Sequence, residues 1–554
     1  MPVSPRVPKS VDVVVVGGGT AGAVVAGRIA ERGDRSVLVL EAGPDYGPFG
    51  DGGWPEDLLD ARCLATGGHD WGYRSGARYG RRELPLERAR VIGGCSAHNG
   101  CAAVWGHRLD YEGWERRGNP GWGADALRPY FAAADERLRV RTPERAELGP
   151  FHEAVLDAAP PAGLPLIDEL NDLDGPPGMA VSPVNVAGGA ADATSASSSG
   201  AGRSAAGGRI AHGAAGPAGG ASGVVRWNTA FAYLDPVRGR RGVHVLGGVL
   251  VDRVLIERGR AVGVAFVHGG RSATVACGEV VLAAGAYGSP AVLLRSGVGP
   301  ADHLRALGVP LVHELAGVGG NLQDHPALVL EYTGTPELVA ALRAFMRRAP
   351  LREEGTIAKA RSARCAEAFD LHVYPFGSPC APFGQARPVG ERWTFAVPVA
   401  CMTPRSRGHV RLASADPAAA PLVDHAYLTD PGDHDRAVLL DGAALARALA
   451  NQPPLRELLG VECAPGATAV DRETLRRYVR TNGVHYYHPV GSCAMGPAGD
   501  RAAVVDAEGR VHGIAGLRVA DASVMPVIPR ANTMVPTVVV AERIVAGIVR
   551  GGGA

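Results

Sequence analysis

The order of apolar and glycine-rich stretches in the first forty residues predicts a strand–helix–strand unit. Positions 11–16 form a largely apolar, β-branched run that three glycines close at 17–19. Such a run is typical of a buried parallel strand that enters a tight turn. A helix is predicted over 20–32, and a second apolar strand over 37–40 ends in Glu41. We therefore expect the chain to begin with a βαβ unit.

Short apolar runs return in the second half of the chain. A strand with a loop is predicted over 517–526 and a closing helix over 537–550. Both ends of the chain are thus expected to contribute to one cofactor domain. Four runs before these elements predict a β-meander that returns to the same sheet: VHVLGG (243–248), LVDRVLIE (250–257), AVGVAFV (261–267) and ATVACGEVVLAAG (273–285).

One segment in the middle of the chain lacks apolar periodicity. Residues 187–223 consist almost entirely of Ala, Gly and Ser. Such a composition cannot bury enough surface to order itself. We expect a flexible surface insertion, and the alternative for a long loop of this kind is a functional lid.

Composition excludes several classes of protein. With 554 residues the chain exceeds one typical domain, and 46% hydrophobic residues with a net charge of +1 argue against a disordered chain or a nucleic-acid partner. The nine cysteines are scattered without zinc-type spacing, which predicts no metal site and a reduced, cytoplasmic setting. No export signal and no run of about 18 apolar residues occurs, so no membrane partner is expected.

The first turn carries a dinucleotide-binding pattern. In GGGTAG, residues 17–22, glycines occupy the first, third and sixth positions. They permit the turn, let the backbone approach a pyrophosphate and let the helix pack against the strand. Glu41, at the end of the next strand, is placed to accept hydrogen bonds from a ribose. The motif alone does not distinguish FAD from NAD.

Seven separated blocks narrow the choice of cofactor. They are GGGTAG (17–22), EAGP (41–44), RVIGGCSAHNG (90–100), LAAGAYGSPAVLLRSGVGP (282–300), VGGNLQDHP (318–326), YHPVGSCAMG (487–496) and VADASVMPVIPRANTMVPT (519–537). In this order they resemble the glucose-methanol-choline (GMC) oxidoreductase family, over residues 11–544 except for the Ala/Gly/Ser segment. The resemblance implies FAD as cofactor.

The same resemblance implies an α/β fold. A Rossmann-like FAD-binding domain is expected to be interleaved with a substrate domain built on an antiparallel sheet covered by helices. The expected divisions are a first FAD-binding segment with the flavin-attachment loop (1–150), a substrate-domain segment with the insertion (151–235), a second FAD-binding segment (236–325), a substrate-binding domain (326–480) and a C-terminal catalytic and FAD-binding segment (481–554).

The resemblance also implies which residues contact FAD. In the family's motifs one group meets the pyrophosphate and ribose, a second forms the flavin-contacting loop, and the remainder contact the adenine, the ribityl chain and the pyrimidine edge. In that order the matching residues are Gly17, Gly19, Thr20, Ala21 and Glu41; Arg90, Gly93, Gly94, His98, Asn99, Gly100 and Ala102; then Val251, Asp521, Ala522, Thr533 and Met534.

The flavin loop departs from the serine-rich form found in many members. GGCSAHN, residues 93–99, resembles the choline-oxidising branch, in which a histidine at this place is bonded to the flavin. His98 is therefore a candidate for covalent FAD attachment. The alternative is a non-covalent contact between this histidine and the flavin ring.

Two residues match the family's catalytic positions. His488, in YHPVG, stands at the position of the histidine base, and it is the motif that distinguishes His488 from the neighbouring His485. Asn532 stands where the family has His or Asn, and an amide can hold the substrate oxygen without competing for its proton. The alternative reading of Asn532 is an Asx-turn residue.

The implied function is the FAD-dependent oxidation of an alcohol (CH–OH donor) to an aldehyde or ketone. His488 would take the hydroxyl proton while hydride leaves toward flavin N5, and O2 or another acceptor would reoxidise the flavin. The alternative is a hydroxynitrile lyase-type enzyme with a redox-silent flavin. We expect a monomer or a homodimer.

The substrate is harder to read from the sequence. Choline would require an aromatic cage with a carboxylate, yet aromatic residues make up only 5% of the chain. The region 333–382 does not resemble the substrate region of the choline-oxidising branch, and Tyr486 stands where that branch has a small aliphatic residue. We expect a neutral primary alcohol, a sugar or a biosynthetic intermediate.

Overall fold

The computed structural model describes residues 7–62, 64–65, 67–76, 83–188, 223–352, 354–377, 393–466, 468–469 and 471–551. The expected insertion at 187–223 lies outside the described residues, except for its two ends. The divisions into five domain segments stay a prediction.

The described residues contain short strands and helices throughout. The strands are β1 (Ser10–Val16), β2 (Val37–Leu40), β3 (Val140–Arg141), β4 (Gly178–Val181), β5 (Val184–Ala187), β6 (Val225–Arg226), β7 (Val243–Leu246), β8 (Val249–Glu257), β9 (Arg260–His268), β10 (Arg271–Leu282), β11 (Val298–Gly299), β12 (His313–Glu314), β13 (Pro326–Leu328), β14 (Glu331–Gly334), β15 (Thr356–Ala360), β16 (Leu371–Val373), β17 (Thr394–Ala396), β18 (Val399–Cys401), β19 (His409–Arg411), β20 (Leu422–Asp424), β21 (Leu459–Ala464), β22 (Val484–His485) and β23 (Leu517–Val519). The α-helices are α1 (Thr20–Arg32), α2 (Glu56–Leu59), α3 (Arg108–Arg116), α4 (Ala124–Leu138), α5 (Pro150–Ala158), α6 (Gly285–Arg295), α7 (Ala301–Ala306), α8 (Pro336–Met346), α9 (His434–Ala450), α10 (Leu455–Leu458), α11 (Arg472–Asn482) and α12 (Met534–Gly551).

A seven-stranded sheet holds the predicted βαβ unit. Its order is β7-β2-β1-β10-β9-β8, with β23 also paired to β10. β1 runs parallel to β2 and β10, and β10 runs parallel to β23. The expected β1, α1 and β2 are confirmed, as are the C-terminal strand β23 and the closing helix α12. Both ends of the chain therefore meet in one sheet.

The predicted four-stranded meander is wrong in its first strand. β8, β9 and β10 form an antiparallel meander, but β7 lies at the opposite edge of the sheet and pairs with β2 in parallel. Between β7 and β8 the chain crosses the end of β2, where Gly248 N donates to Gly43 O and Val249 N to Glu41 O, both at 2.8 Å. An apolar run predicts a strand but does not say which strand is its partner.

A second, antiparallel sheet has the order β22-β13-β18-β16-β15-β4. Helix α9 packs on β13, β16 and β18, and α5 packs on β15. The expected antiparallel sheet covered by helices is confirmed. Because β13 pairs with β22, the pair places Pro326 opposite His485 and brings two candidate loops together.

No helix in the described part of the chain is both long enough and apolar enough to cross a bilayer. The expectations of a cytoplasmic location and of a monomer or homodimer stay predictions.

The packing of α1 against β1 depends on Gly22. A Cβ atom added there would lie 1.8 Å from the Gly17 carbonyl oxygen, and backbone atoms of the sheet cannot yield to that contact. We expect Gly22→Ala to lower the melting temperature by roughly 5 °C or more. The matched control is Gly499→Ala, where an added Cβ meets nothing within 4 Å. Equal melting temperatures for the two variants would contradict this account of the turn.

Candidate active site

One cavity of about 420 Å³ connects the dinucleotide turn with the two candidate catalytic residues. Gly93 is the one predicted site residue that does not line it. Gly93 lies behind the wall, where its N–H donates to Gly18 O at 2.8 Å and its carbonyl accepts from Ser96 Oγ at 2.7 Å. The predicted residues in the wall are Gly17, Gly19, Thr20, Ala21, Glu41, Arg90, Gly94, His98, Asn99, Gly100, Ala102, Val251, His488, Asp521, Ala522, Asn532, Thr533 and Met534.

At one end of the cavity, the backbone at position 17 lies so close to the backbone at Ala283 that only glycine fits there. Gly17 has a φ of +93°, and a Cβ there would lie 2.7 Å from Ala283 O. Helix α1 begins three residues later, so its free N–H groups and partial positive charge face the cavity. This end can hold a pyrophosphate.

The Glu41 carboxylate closes the same end. Its two oxygens accept the backbone N–H groups of Gly18 and Gly43, both at 2.8 Å. Burial raises the pKa of Glu41 to about 7 despite these bonds. A ribose hydroxyl at this end of the cavity would find a carboxylate that two backbone amides hold in place.

Asp521 ties β23 to the first turn of α6. Its Oδ2 accepts from Gly285 N at 2.9 Å and Ser289 Oγ at 2.5 Å, while Oδ1 accepts from Ser523 N at 2.8 Å. Gly285 also lines the cavity, a position that sequence reasoning missed although it stands in one of the recognised blocks. Asp521 therefore positions backbone in the cavity wall.

His98 is one of the residues in the cavity wall, and its imidazole is neutral. The residue is 5% exposed and follows a 3-10 helix over Gly94–Ala97. Burial, reinforced by the positive charges of Arg88 and Arg226, lowers the pKa of His98 to about 3. Its Nδ1 atom is buried and has no hydrogen-bond partner among the described residues. The ring thus keeps an electron pair available for a bond or a contact.

The loop around His98 is held by the buried side chain of Arg226. This arginine ends β6 and is fully buried. Five carbonyl acceptors surround it and satisfy the guanidinium group. It donates at 2.7–3.3 Å to the carbonyls of Asp57, Leu58, Asp60, Ala97 and Asn99.

His488 forms a pair with His325. Their Nδ1 atoms lie 3.0 Å apart, so one ring donates and the other accepts. Asp324 Oδ1 accepts the backbone N–H of His325 at 2.8 Å and of His488 at 2.9 Å. Burial is the main cause that lowers the pKa of His488 well below its usual value, followed by His325. His488 is therefore neutral and can accept a proton.

Asn532 lies two residues before α12 and faces the same cavity. Its Oδ1 atom is buried without a hydrogen-bond partner in the described residues. Tyr486 lines the same cavity, and its ring centroid is 4.3 Å from that of His488. A substrate oxygen between Asn532 and His488 would find an amide donor and a neutral imidazole.

Sequence reasoning missed Glu354. Its side chain is 8% exposed and lines the cavity beside Gly100. Burial alone raises the pKa of Glu354 to about 8. In the sequence it stands in the charged run 352–354, which is usually a solvated stretch. No signal in a single sequence separates this carboxyl from its neighbours.

Family models described as GMC oxidoreductase match residues 11–197 and 203–327 in their N-terminal part, and 404–541 in their C-terminal part. The chain belongs to the GMC oxidoreductase family. Choline oxidase of Arthrobacter globiformis is 33% identical to this GMC oxidoreductase, covering 96% of this chain and 93% of its own. Oxygen-dependent choline dehydrogenase of Pseudomonas syringae pv. tomato is also 33% identical, covering 96% and 92%.

Solved structures share the fold. Pyridoxine 4-oxidase from Mesorbium loti superposes with a TM-score of 0.80 at 26% identity, covering 97% of this chain and 99% of its own. A formate oxidase structure superposes with a TM-score of 0.81 at 24% identity, covering 99% of each chain.

This GMC oxidoreductase is an FAD-dependent enzyme that oxidises a CH–OH group. The lyase alternative finds no support among these relatives. FAD fits the residues present, because the glycine turn leaves room for a pyrophosphate and the orphaned His98 Nδ1 lies along the same cavity.

The Arg226 bonds can be tested by a substitution that keeps the charge. A lysine can reach at most three carbonyls, so Arg226→Lys leaves buried acceptors unpaired. We expect the free energy of unfolding to fall by about 3 kcal/mol, measured by thermal or chemical denaturation of the flavin-bound protein. Arg305→Lys is the control, because that side chain is 74% exposed. A stability loss no larger than that of the control would refute the role given to Arg226.

Proposed function

We propose that His488 and Asn532 perform the alcohol oxidation of this enzyme. The proposal depends chiefly on one observation: a neutral histidine, already bonded through Nδ1, shares a cavity with an unpartnered amide oxygen and with the dinucleotide turn. Bound FAD supplies the acceptor for the hydride that leaves the alcohol carbon.

Except for Gly93, which lies behind the wall, the residues proposed to hold FAD line the cavity from end to end. Backbone N–H groups at the start of α1 favour the pyrophosphate, and Glu41 favours the ribose. The proposed contacts are Gly17, Gly19, Thr20, Ala21 and Glu41 at the dinucleotide turn, Arg90, Gly93, Gly94, His98, Asn99, Gly100 and Ala102 in the flavin loop, and Val251, Asp521, Ala522, Thr533 and Met534 elsewhere.

His488 takes the hydroxyl proton of the substrate. Its Nδ1 is occupied by His325, so Nε2 is the nitrogen left for the alcohol. We assign the proton shared between the two rings to Nδ1 of His488, which then donates to Nδ1 of His325. That tautomer leaves the electron pair of His488 on Nε2.

Asn532 orients the substrate oxygen. Its amide N–H donates to that oxygen, and its side chain does not bind the proton under transfer. The oxygen gains negative character as the proton leaves, so the bond strengthens along the reaction. His488 acts as the base, and Asn532 holds the atom from which the proton departs.

We propose O2 as the acceptor that reoxidises the flavin. The names of the two relatives, a choline oxidase and an oxygen-dependent choline dehydrogenase, support O2 over other acceptors. Consumption of O2 with formation of hydrogen peroxide would accompany turnover. If turnover required an added dye or quinone, the assignment of O2 as the acceptor would be wrong.

Anaerobic mixing of the flavin-bound protein with a panel of alcohols tests the redox role. We expect an oxidisable alcohol to bleach the flavin absorbance, and His488→Ala to slow bleaching about 10²- to 10⁴-fold, the usual contribution of a positioned base. His485→Gln is the matched control. His485 is buried and its Nε2 donates to Pro85 O at 2.8 Å, but it does not line the cavity. Equal losses in both variants would contradict the assignment of His488.

Acid precipitation tests the covalent link at His98. We expect the yellow colour to stay with the precipitated polypeptide of the natural chain and to appear as free FAD in the supernatant for His98→Ala. Cys95→Ser is the control, because Cys95 is another nucleophilic side chain of this loop in the cavity wall. If the natural chain also releases free FAD into the supernatant, His98 contacts the flavin without a covalent bond.

A further inference from the structure

His488 lies in a bulge between two paired segments of the chain. Before the bulge, Tyr486 N donates to His325 O at 3.0 Å. After it, Val490 N donates to Gln323 O at 2.9 Å. Three residues of one segment therefore stand opposite a single residue of the other. Surplus residues of this kind change the direction in which a side chain points, here that of His488.

The bulge requires a backbone conformation that its sequence does not favour. Tyr487 has a φ of +66°, in the left-handed region that glycine and asparagine adopt more readily than residues with a bulky side chain. A tyrosine stays in this region only where surrounding contacts hold it there. Return of Tyr487 to a negative φ would turn the peptide that leads into His488. The imidazole, whose Nδ1 now lies 3.0 Å from that of His325, would turn with it.

Arg88 makes a contact that holds this turn. Its Nη1 donates to the Tyr487 carbonyl at 3.0 Å. The backbone of Arg88 is itself fixed at both of its polar groups, because its N–H donates to Asp70 Oδ1 at 2.7 Å and its carbonyl accepts from Trp71 N at 3.0 Å. The guanidinium therefore reaches the turn from a segment that is anchored elsewhere in the fold.

The segment that ends at Arg88 leads directly into the flavin loop. That loop begins two residues after Arg88 and contains His98. Three residues before Arg88, Pro85 O accepts from His485 Nε2 at 2.8 Å, so the segment contacts the chain ahead of the base at two places. Arg88 and both candidate histidines, His98 and His488, line the same cavity. The arginine thus connects the flavin loop to the turn that carries the base.

We propose that Arg88 is a positioning residue, which holds Tyr487 in its left-handed conformation and thereby sets the imidazole of His488 for proton removal. This inference rests on the proposed function, because it takes His488 as the base. Arg88 acts through the main chain of the turn and exchanges no proton, since an arginine stays protonated in proteins.

Substitutions at position 487 test the proposal, because they change the cost of a positive φ. Tyr487→Ala and Tyr487→Gly both remove the ring, but only alanine keeps the Cβ atom that makes this φ unfavourable. The quantity measured is the rate constant of flavin bleaching, without oxygen, at a saturating concentration of the alcohol that reacts fastest in the panel.

In the Tyr487→Ala chain we expect Arg88→Met to lower this rate constant about 10²-fold, the usual cost of a misplaced catalytic group. In the Tyr487→Gly chain the loss should be about tenfold smaller, because glycine adopts the turn without the penalty that alanine has. A purely structural role of Arg88 would not depend on the residue at 487. Equal losses in the two chains would overturn the proposal.

Arg411→Met is the matched control. Arg411 Nη1 also donates to backbone carbonyls, those of Val318 at 3.3 Å and Val410 at 3.1 Å, but this residue does not line the cavity. We expect the variant to bleach at the rate of the natural chain. If Arg88→Met does not fold, Arg88→Lys, which keeps the charge, takes its place in both chains, and the larger loss is again expected with alanine.

A crystal structure of the flavin-bound Arg88→Met variant separates this proposal from the proposed function. We expect a negative φ at Tyr487 and a separation of the His325 and His488 Nδ1 atoms beyond hydrogen-bond distance, whether or not any alcohol bleaches the flavin. An unchanged turn in that structure would overturn the role of Arg88 and leave the assignment of His488 as the base untouched.

Discussion

The buried carboxylate of Asp324 is the interaction on which the geometry of the active site depends. It accepts the backbone N–H groups of His325 and His488, and its second oxygen accepts the Tyr427 hydroxyl at 2.9 Å. These bonds join the segment before β13 to the segment after β22, two strands that pair in the second sheet. Two imidazoles 163 residues apart in the chain thereby meet at 3.0 Å. The base is therefore positioned by its main chain as well as by its ring.

Burial has opposite effects on the pKa values of the histidines and of the carboxyl groups in and around this cavity. It lowers the pKa of His98 to about 3, and it raises the pKa of Asp324 to about 6, of Glu41 to about 7 and of Glu354 to about 8. The carboxyl without hydrogen-bond donors has the highest of these values, as expected when donors favour the charged form. Burial thus keeps the imidazole of His98 neutral, while hydrogen bonds to a buried carboxyl limit how far burial raises its pKa.

Much of the cavity could be predicted from the sequence because its residues lie in short, ordered motifs. The glycine turn, the loop around His98 and the strand end at Asp521 each carry local constraints that a single sequence displays. The partner of β7 could not be predicted, since hydrophobic periodicity does not encode strand order. Glu354 was missed for a related reason. Its burial comes from the packing of Phe376 and the flavin loop around it, and the adjacent sequence is charged.

Arg226 and Glu354 show two ways in which a buried charge can be accommodated in one fold. Arg226 is surrounded by carbonyls that satisfy its guanidinium, so its position needs nothing from outside the chain. Glu354 Oε2 has no hydrogen-bond partner among the described residues, and the side chain lines the cavity. A buried polar group that is left incomplete reduces the stability of the free protein.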